Sequence, residues 1–184
     1  PIIEAKGGGV ENGSCWASGA GIGSGGNTLN KTTINIEGGE ITATGGVSLD
    51  SRNRSDERLS GAGIGSGSNV SGETEINIKG GTITKVTGGK YGGAGIGSGS
   101  SDTKDDSKKG AVTINITGGT ITEATGGSEY VSSSKRWYSG AGIGAGLNAG
   151  TTTINIKDNA HIVSATGGKY GGAGIGSGSS DTKD

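Results

Sequence analysis

A unit of roughly 40 residues repeats along the chain, and this repetition restricts the possible folds more than any other feature. Three short blocks recur in the same order. The phrase Gly-Ala-Gly-Ile-Gly occurs five times, beginning at Gly19, Gly61, Gly93, Gly140 and Gly172. An Ile-Asn-Ile block begins at Ile34, Ile76, Ile114 and Ile154. A third block, Ile-Thr-x-Ala-Thr-Gly-Gly with small variations, begins at Ile41, Ile83, Ile121 and Ile162. Such a period is typical of repeat architectures, in which each unit packs against its neighbours.

Both ends of the sequence fall inside a unit. Residues 2–8 align with residues 121–127, with Ile2 placed on Ile121, and residues 88–105 reappear unchanged at 167–184. The sequence begins with neither a signal peptide nor Met. We therefore expect residues 1–184 to form a single repeat domain that is an excised portion of a longer array.

Composition alone leaves two classes of chain open. Glycine accounts for 44 of the 184 residues, and Phe and Met are absent, which fits either a flexible Gly/Ser chain or a repeat fold with a thin core. So much glycine excludes a helical bundle, because Gly costs about 0.5–1 kcal/mol relative to Ala inside a helix. Of the 19 isoleucines, 18 occupy fixed positions in the blocks, which a disordered linker has no reason to produce. The sequence therefore predicts a folded repeat.

Charge and apolar content restrict the partners. Lys and Arg number 16 against 17 Asp and Glu, a formal net charge of −1, whereas nucleic acids and anionic membranes require a clustered basic surface. No run approaches the roughly 20 apolar residues of a membrane span. We expect no nucleic-acid partner and no membrane insertion.

Within each block, apolar residues alternate with polar residues or glycine, as in strands with one buried face. Ile34 and Ile36 point one way and Thr33 and Asn35 the other. Three short strands per unit predict an all-β, right-handed parallel β-helix (β-solenoid) of about four coils, with roughly 40 residues per coil and columns of Ile and Ala inside. The right hand follows from the preference for right-handed crossovers between parallel strands. A pair of small β-sandwiches is the alternative fold.

The repeated motifs carry a resemblance. The phrases Gly-Ala-Gly-Ile-Gly-Ser-Gly, Thr-Ile-Asn-Ile-x-Gly-Gly and Ile-Thr-x-Ala-Thr-Gly-Gly resemble the glycine-rich tandem repeats of secreted surface proteins of Gram-positive bacteria. They are also similar to β-helical carbohydrate-binding domains that are related in fold to polysaccharide lyases. The likeness covers the whole chain, but its motifs are structural. It implies an extracellular setting on the bacterial cell surface, neighbouring repeats of the parent protein as partners, and contact with glycan.

Catalysis is not expected. The β-helical lyases hold calcium with a carboxylate cluster and use an Arg or Lys as base, whereas the acids and bases of this chain fall in variable loops. One such loop carries Asp50, Arg52, Arg54, Asp56, Glu57 and Arg58. The single histidine, His161, is expected to be an exposed strand residue, and Cys15 stands alone, so no zinc site is indicated. We predict no cofactor and no metal site; calcium binding is possible in such a fold, but no residue pattern indicates it.

One asparagine recurs in every Ile-Asn-Ile block. The column consists of Asn35, Asn77, Asn115 and Asn155. Stacked amides can hydrogen-bond from coil to coil, which predicts a structural ladder. The alternative is a flat outward face of Thr and Asn that orders water or ice, but Glu75 interrupts its Thr column.

Two further columns lie beside the Gly-Ala-Gly-Ile-Gly strand. Five of the six aromatic residues precede it, namely Trp16, Tyr91, Trp137, Tyr138 and Tyr170. They either stack at a corner of the coil or stand exposed as platforms for sugar rings. Within the strand, alternation places Ala and Ile inward and glycine outward. The resulting strip of Gly63, Gly95, Gly142 and Gly174 is expected to be the floor of a groove.

Two functions from different classes fit these patterns. The first is a non-catalytic extracellular module that binds glycan or a host ligand across the glycine strip, with Trp137 and Tyr138 as the main contacts. The second is a purely structural stalk or spacer of a surface adhesin. Exposed aromatic rings favour the first function, and rings buried against neighbouring coils favour the second.

Overall fold

The computed structural model describes residues 1–9, 11–13, 17–50, 58–132, 135–157 and 159–179. The regular elements of these ranges are strands, apart from one turn of 3-10 helix, Asp106–Lys108. No helix in the same ranges is long and apolar enough to cross a membrane.

Most strands belong to three parallel sheets that run along the coil axis. Sheet I consists of Thr32–Ile36, Thr74–Ile78, Val112–Ile116 and Thr152–Ile156. Sheet II consists of Ile2–Lys6, Glu40–Thr44, Thr82–Thr87, Thr120–Ile121 with Ala124–Thr125, and His161–Ile162 with Ala165–Thr166. Sheet III consists of Ile22–Gly23, Ile64–Gly65, Ile96–Gly97, Ile143–Gly144 and Ile175–Gly176.

Each strand pairs in parallel with the equivalent strand of the next unit, so that like residues lie over like. In sheet I one row consists of Ile34, Ile76, Ile114 and Ile154. The chain visits sheets I, II and III once per unit. The prediction of an all-β, parallel β-solenoid with about 4 turns of about 40 residues is confirmed. The β-sandwich alternative is wrong, because the strands of all three sheets pair in parallel.

The interior is a narrow stack of isoleucine and alanine rows. Its fully buried members include Ile64, Ile76, Ile96, Ile114, Ile116, Ile121, Ile143, Ala62, Ala94 and Ala141. Burying each isoleucine contributes about 1.5–3 kcal/mol, so regular rows can supply the core that the composition makes thin. The last glycine of the Gly-Ala-Gly-Ile-Gly block has a φ angle near +138°, for example in Gly65 (138°) and Gly97 (139°). This conformation explains why a glycine ends the block in every coil.

Sheet II absorbs a difference in repeat length. Ala43, which follows Ile41, and Val86, which follows Ile83, pair with each other. The second of these blocks is one residue longer, and a bulge between Ile83 and Lys85 accommodates the extra residue. The amino-terminal strand follows the shorter spacing and pairs Ile3 with Ile41. The alignment that placed Ile2 in this row is therefore wrong by one residue, and Ile2 is 85% exposed.

The connections between sheets II and III differ strongly in length from coil to coil. Two are hairpins, Val47–Asp50 paired with Arg58–Ser60 and Ser128–Val131 paired with Arg136–Ser139. A short strand, Glu11–Gly13, pairs in parallel with the first hairpin. Two others are short turns at 88–93 and 167–172. Hairpins and short turns alternate from coil to coil along one side of the solenoid, which we call the hairpin flank.

All these connections are closed in the same way. A glycine amide at the start of sheet III donates to a glycine carbonyl at the end of sheet II, from Gly61 to Gly46 (3.0 Å) and from Gly140 to Gly127 (2.9 Å) across the hairpins. The same bond spans the short turns, as from Gly93 to Gly89 (3.0 Å). The coil is therefore completed at these glycines, whatever the length of the connection beyond them.

Candidate functional site

The second hairpin of the flank carries the most exposed aromatic side chain among the described residues. Its strands pair in register, with Tyr130 opposite Trp137 and Glu129 opposite Tyr138. Because successive residues of a strand point to opposite faces, Trp137 and Tyr138 cannot lie on the same face. Trp137 is 51% exposed, whereas Tyr138 is 3% exposed.

Three aromatic rings meet on the outer face of this hairpin. The Trp137 ring lies 4.0 Å from that of Tyr130 and 4.4 Å from that of Tyr170, measured between centroids. Tyr130 is 39% exposed, and Tyr170 of the next coil is half-buried. We call these three residues the aromatic platform. The rings hold one another in place, so they form a preorganised apolar surface in contact with water.

The other aromatic residues of the column lie inside the molecule. Tyr91 and Tyr138 pack edge-to-face at 5.5 Å and are buried with Val131 and Leu147. The Arg58 guanidinium stands 5.2 Å from the centre of the Tyr91 ring, and its Nη1 donates to the Tyr91 hydroxyl at 2.9 Å. The prediction that Tyr91 and Tyr138 contact a ligand is therefore wrong, because neighbouring connections cover both rings.

The two hairpins carry equivalent side chains that pack on the tyrosines of the short turns. Counted back from Gly61 and Gly140, Arg58 occupies the position of Trp137, and each side chain packs on the short-turn tyrosine of the following coil. Tyr91 is also covered from the other side by Tyr138. The sequence pattern placed Trp137 and Tyr170 in the candidate site and left out Tyr130. Trp16 lies outside the described residues.

The glycine strip is not an open groove. Gly63, Gly95 and Gly142 are buried and Gly174 is partly buried. A side chain on any of them would collide with sheet II, and on the first three also with a carbonyl of sheet III in the next coil. A Cβ on Gly63 would lie 2.9 Å from the Thr87 carbonyl oxygen, and one on Gly95 would lie 2.9 Å from the Thr125 nitrogen. The prediction of an outward groove floor is wrong, because the partner that approaches these glycines closely is the next wall of the coil itself.

The asparagine column forms a continuous hydrogen-bonded ladder on the outer face of sheet I. Asn77 donates its amide to the Asn35 oxygen at 3.0 Å, Asn115 donates to Asn77 at 2.8 Å, and Asn155 donates to Asn115 at 2.8 Å. Each inner amide thus has a partner above and below. This arrangement joins successive coils through their side chains.

Charged residues on the outer faces also join neighbouring coils. Lys31 pairs with Glu75 at 3.0 Å, and similar pairs join Glu37 to Lys79 and Lys85 to Glu123, both at 3.2 Å. Hydrogen bonds from the Lys31 ammonium and from Asn77 hold the pKa of Glu75 below its ordinary value, and the same contact raises the pKa of Lys31. Among the described residues, no group of three or more His, Cys, Asp or Glu side chains could hold a metal ion, and His161 is exposed.

The comparisons with known proteins identify the repeat and name no ligand. The family model for the beta helix repeat matches residues 34–68, 76–100, 114–147 and 154–179, which is about two thirds of the chain. Each matched segment begins in an Ile-Asn-Ile block and ends beyond the next Gly-Ala-Gly-Ile-Gly block. No curated protein and no solved structure matches the sequence.

Proposed function

The chain belongs to the beta helix repeat family, and from that premise we propose that it is a non-catalytic module of an extracellular bacterial surface protein that binds glycan through the aromatic platform. The observation that carries the proposal is the exposure of Trp137 between Tyr130 and Tyr170. A coil that only needed to stack would bury its aromatic rings, as it does with Tyr91 and Tyr138.

The chemistry of the platform suits a sugar chain. A pyranose presents a flat face of C–H groups that packs on an aromatic ring, and aromatic residues dominate the energetics of exposed binding surfaces. The rings come from two coils, with Tyr130 and Trp137 on one hairpin and Tyr170 on the following turn. The platform therefore extends along the coil axis, as a linear chain of sugars requires.

The non-catalytic part of the proposal is supported by how the charges are used. The carboxylates of Glu37, Glu75 and Glu123 are each held by a lysine of an adjacent coil. Such pairs give these carboxylates a structural use between neighbouring coils.

A second function, that of a structural spacer in an adhesin, is favoured by the contacts between coils. The asparagine ladder, the ion pairs and the buried Tyr91–Tyr138 contact all run parallel to the coil axis. A protein built this way resists bending and extension, which is what a stalk needs. The two functions are compatible, since a stalk can carry binding sites along its flank.

Binding of an oligosaccharide array by the 184-residue chain tests the proposal. Trp137→Ala should weaken binding of any glycan that the wild type retains by about tenfold or more, and Trp137→Phe should restore part of the affinity. Leu29→Ala is the matched control, because Leu29 is an apolar residue that is 77% exposed on another part of the coil. Retained binding in Trp137→Ala would move the site elsewhere, and an array without any bound glycan would leave the spacer function.

A further inference from the structure

The platform lies in a basic part of a chain that is otherwise slightly acidic. Residues 128–139 and the short turns at 88–93 and 167–172 contain four basic residues, Lys90, Lys135, Arg136 and Lys169, and one acidic residue, Glu129. These segments therefore carry a net charge of +3, whereas the whole chain carries −1. Charge segregation of this kind attracts ligands of the opposite sign.

Two of the four cations are close in the sequence to platform residues. Lys135 lies two residues before Trp137 at the turn of the hairpin, and Lys169 directly precedes Tyr170. Both side chains are exposed, and neither ammonium forms an ion pair with a carboxylate among the described residues. This contrasts with Lys31, Lys79 and Lys85, which are paired between coils.

The single acidic residue of these three segments lies on the other face of the hairpin. Glu129 is opposite Tyr138, whose ring points inward, while its neighbour Tyr130 is opposite Trp137. Strand alternation therefore separates the Glu129 carboxylate from the exposed rings. A ligand on the platform would therefore meet the exposed rings on the face opposite Glu129, with Lys135 and Lys169 in the adjoining turns.

We propose that the aromatic platform takes an anionic sugar chain, with Trp137 and Tyr130 packing against sugar faces and with Lys135 and Lys169 pairing with carboxylate or sulfate groups. This inference rests on the proposed glycan function and names its ligand class. The two lysines are carried by different coils, so the charged groups of the ligand would be spread along the coil axis. Exposed pairs of this kind are weak individually and are screened by salt.

Titration calorimetry with three oligosaccharides of equal length tests the inference. The probes are a neutral oligoglucoside, an oligogalacturonate and a heparin-derived oligosaccharide, and the two anionic probes distinguish carboxylate from sulfate sources. We expect at least one anionic probe to bind more tightly than the neutral one, and its affinity to fall as NaCl rises from about 50 to about 500 mM. The double variant K135Q/K169Q should weaken that binding by about fivefold, which corresponds to two exposed pairs.

The double variant K104Q/K157Q is the matched control, because Lys104 and Lys157 are exposed lysines outside the hairpin flank. An equal loss in both double variants would overturn the inference, since binding would then follow net charge alone. Preferred binding of the neutral probe, unaffected by K135Q/K169Q, would overturn the anionic ligand and leave the glycan function standing. Absence of binding by all three probes and by the wider array would overturn both.

Discussion

Replacing Tyr138 with alanine should destabilise the protein more than replacing Trp137 with alanine, although the two residues are neighbours on one strand. Tyr138 is 3% exposed and packs on Tyr91 with a centroid distance of 5.5 Å, so truncation leaves a cavity between two coils. Loss of a buried aromatic ring costs about 3–5 kcal/mol. Trp137 is 51% exposed and loses its contacts with Tyr130 and Tyr170, worth about 1–3 kcal/mol together.

Chemical denaturation of both alanine variants measures this difference. Hydrogen exchange of the amides in Ser128–Val131 and Arg136–Ser139 shows whether the hairpin opens first, as expected where the loss is local. Tyr138→Phe is the matched control, since it keeps the ring and should lose about 0.5–1.5 kcal/mol at most. Equal losses in the two alanine variants would refute the assignment of an inner and an outer face to this strand.

Three further predictions concern the coil. Ile116→Ala should cost about 2–5 kcal/mol in chemical denaturation because the Ile116 side chain is fully buried. Asn115→Ala should cost about 1 kcal/mol because the asparagine ladder is partly solvated. A larger loss for Asn115→Ala would contradict the role of the isoleucine rows. Thr74→Val should raise the unfolding free energy by about 1 kcal/mol, because the buried Thr74 hydroxyl lacks a hydrogen-bond partner; a loss would mean that the hydroxyl is satisfied. Lys31 lowers the pKa of Glu75, so the folded protein binds a proton at Glu75 less tightly than the unfolded chain does. The contribution of ionised Glu75 to stability is therefore present above its ordinary pKa. It is lost as the pH falls through the lowered pKa. Glu75→Gln should therefore flatten the acid limb of the stability curve, and an unchanged limb would exclude this pair as a cause.

The coil could be predicted from the sequence because its signals are periodic. Isoleucine at fixed positions defines the inward rows, and one asparagine per unit defines a column in which like side chains must meet. The glycine strip could not be predicted correctly, because alternation states only that Gly63 and Ile64 face opposite ways. Whether the far side of a thin strand meets water or another wall depends on how closely two sheets approach.

The aromatic platform was only partly accessible from the sequence, for a different reason. Tyr130 precedes Trp137 by seven residues and becomes its neighbour only when residues 128–139 fold into a hairpin. The sequence did contain a signal for the hairpin, because Tyr130 and Trp137 each lie in a short stretch that can form a strand and serines separate the two stretches. Treating the aromatic residues as one column along the coil concealed it. Once the hairpin is known, alternation alone separates Trp137 from Tyr138.

The glycine-to-glycine bonds that close every connection have a consequence for how such a protein can change over evolutionary time. Gly127 and Gly140 complete the coil as Gly89 and Gly93 do. The segment between Gly127 and Gly140 is therefore an insert whose two ends are held at fixed positions in the coil. Lengthening an insert costs little loop entropy and leaves the isoleucine rows undisturbed. Duplicated units can therefore diverge in their inserts, acquiring or losing a recognition surface one coil at a time, while the scaffold is inherited unchanged.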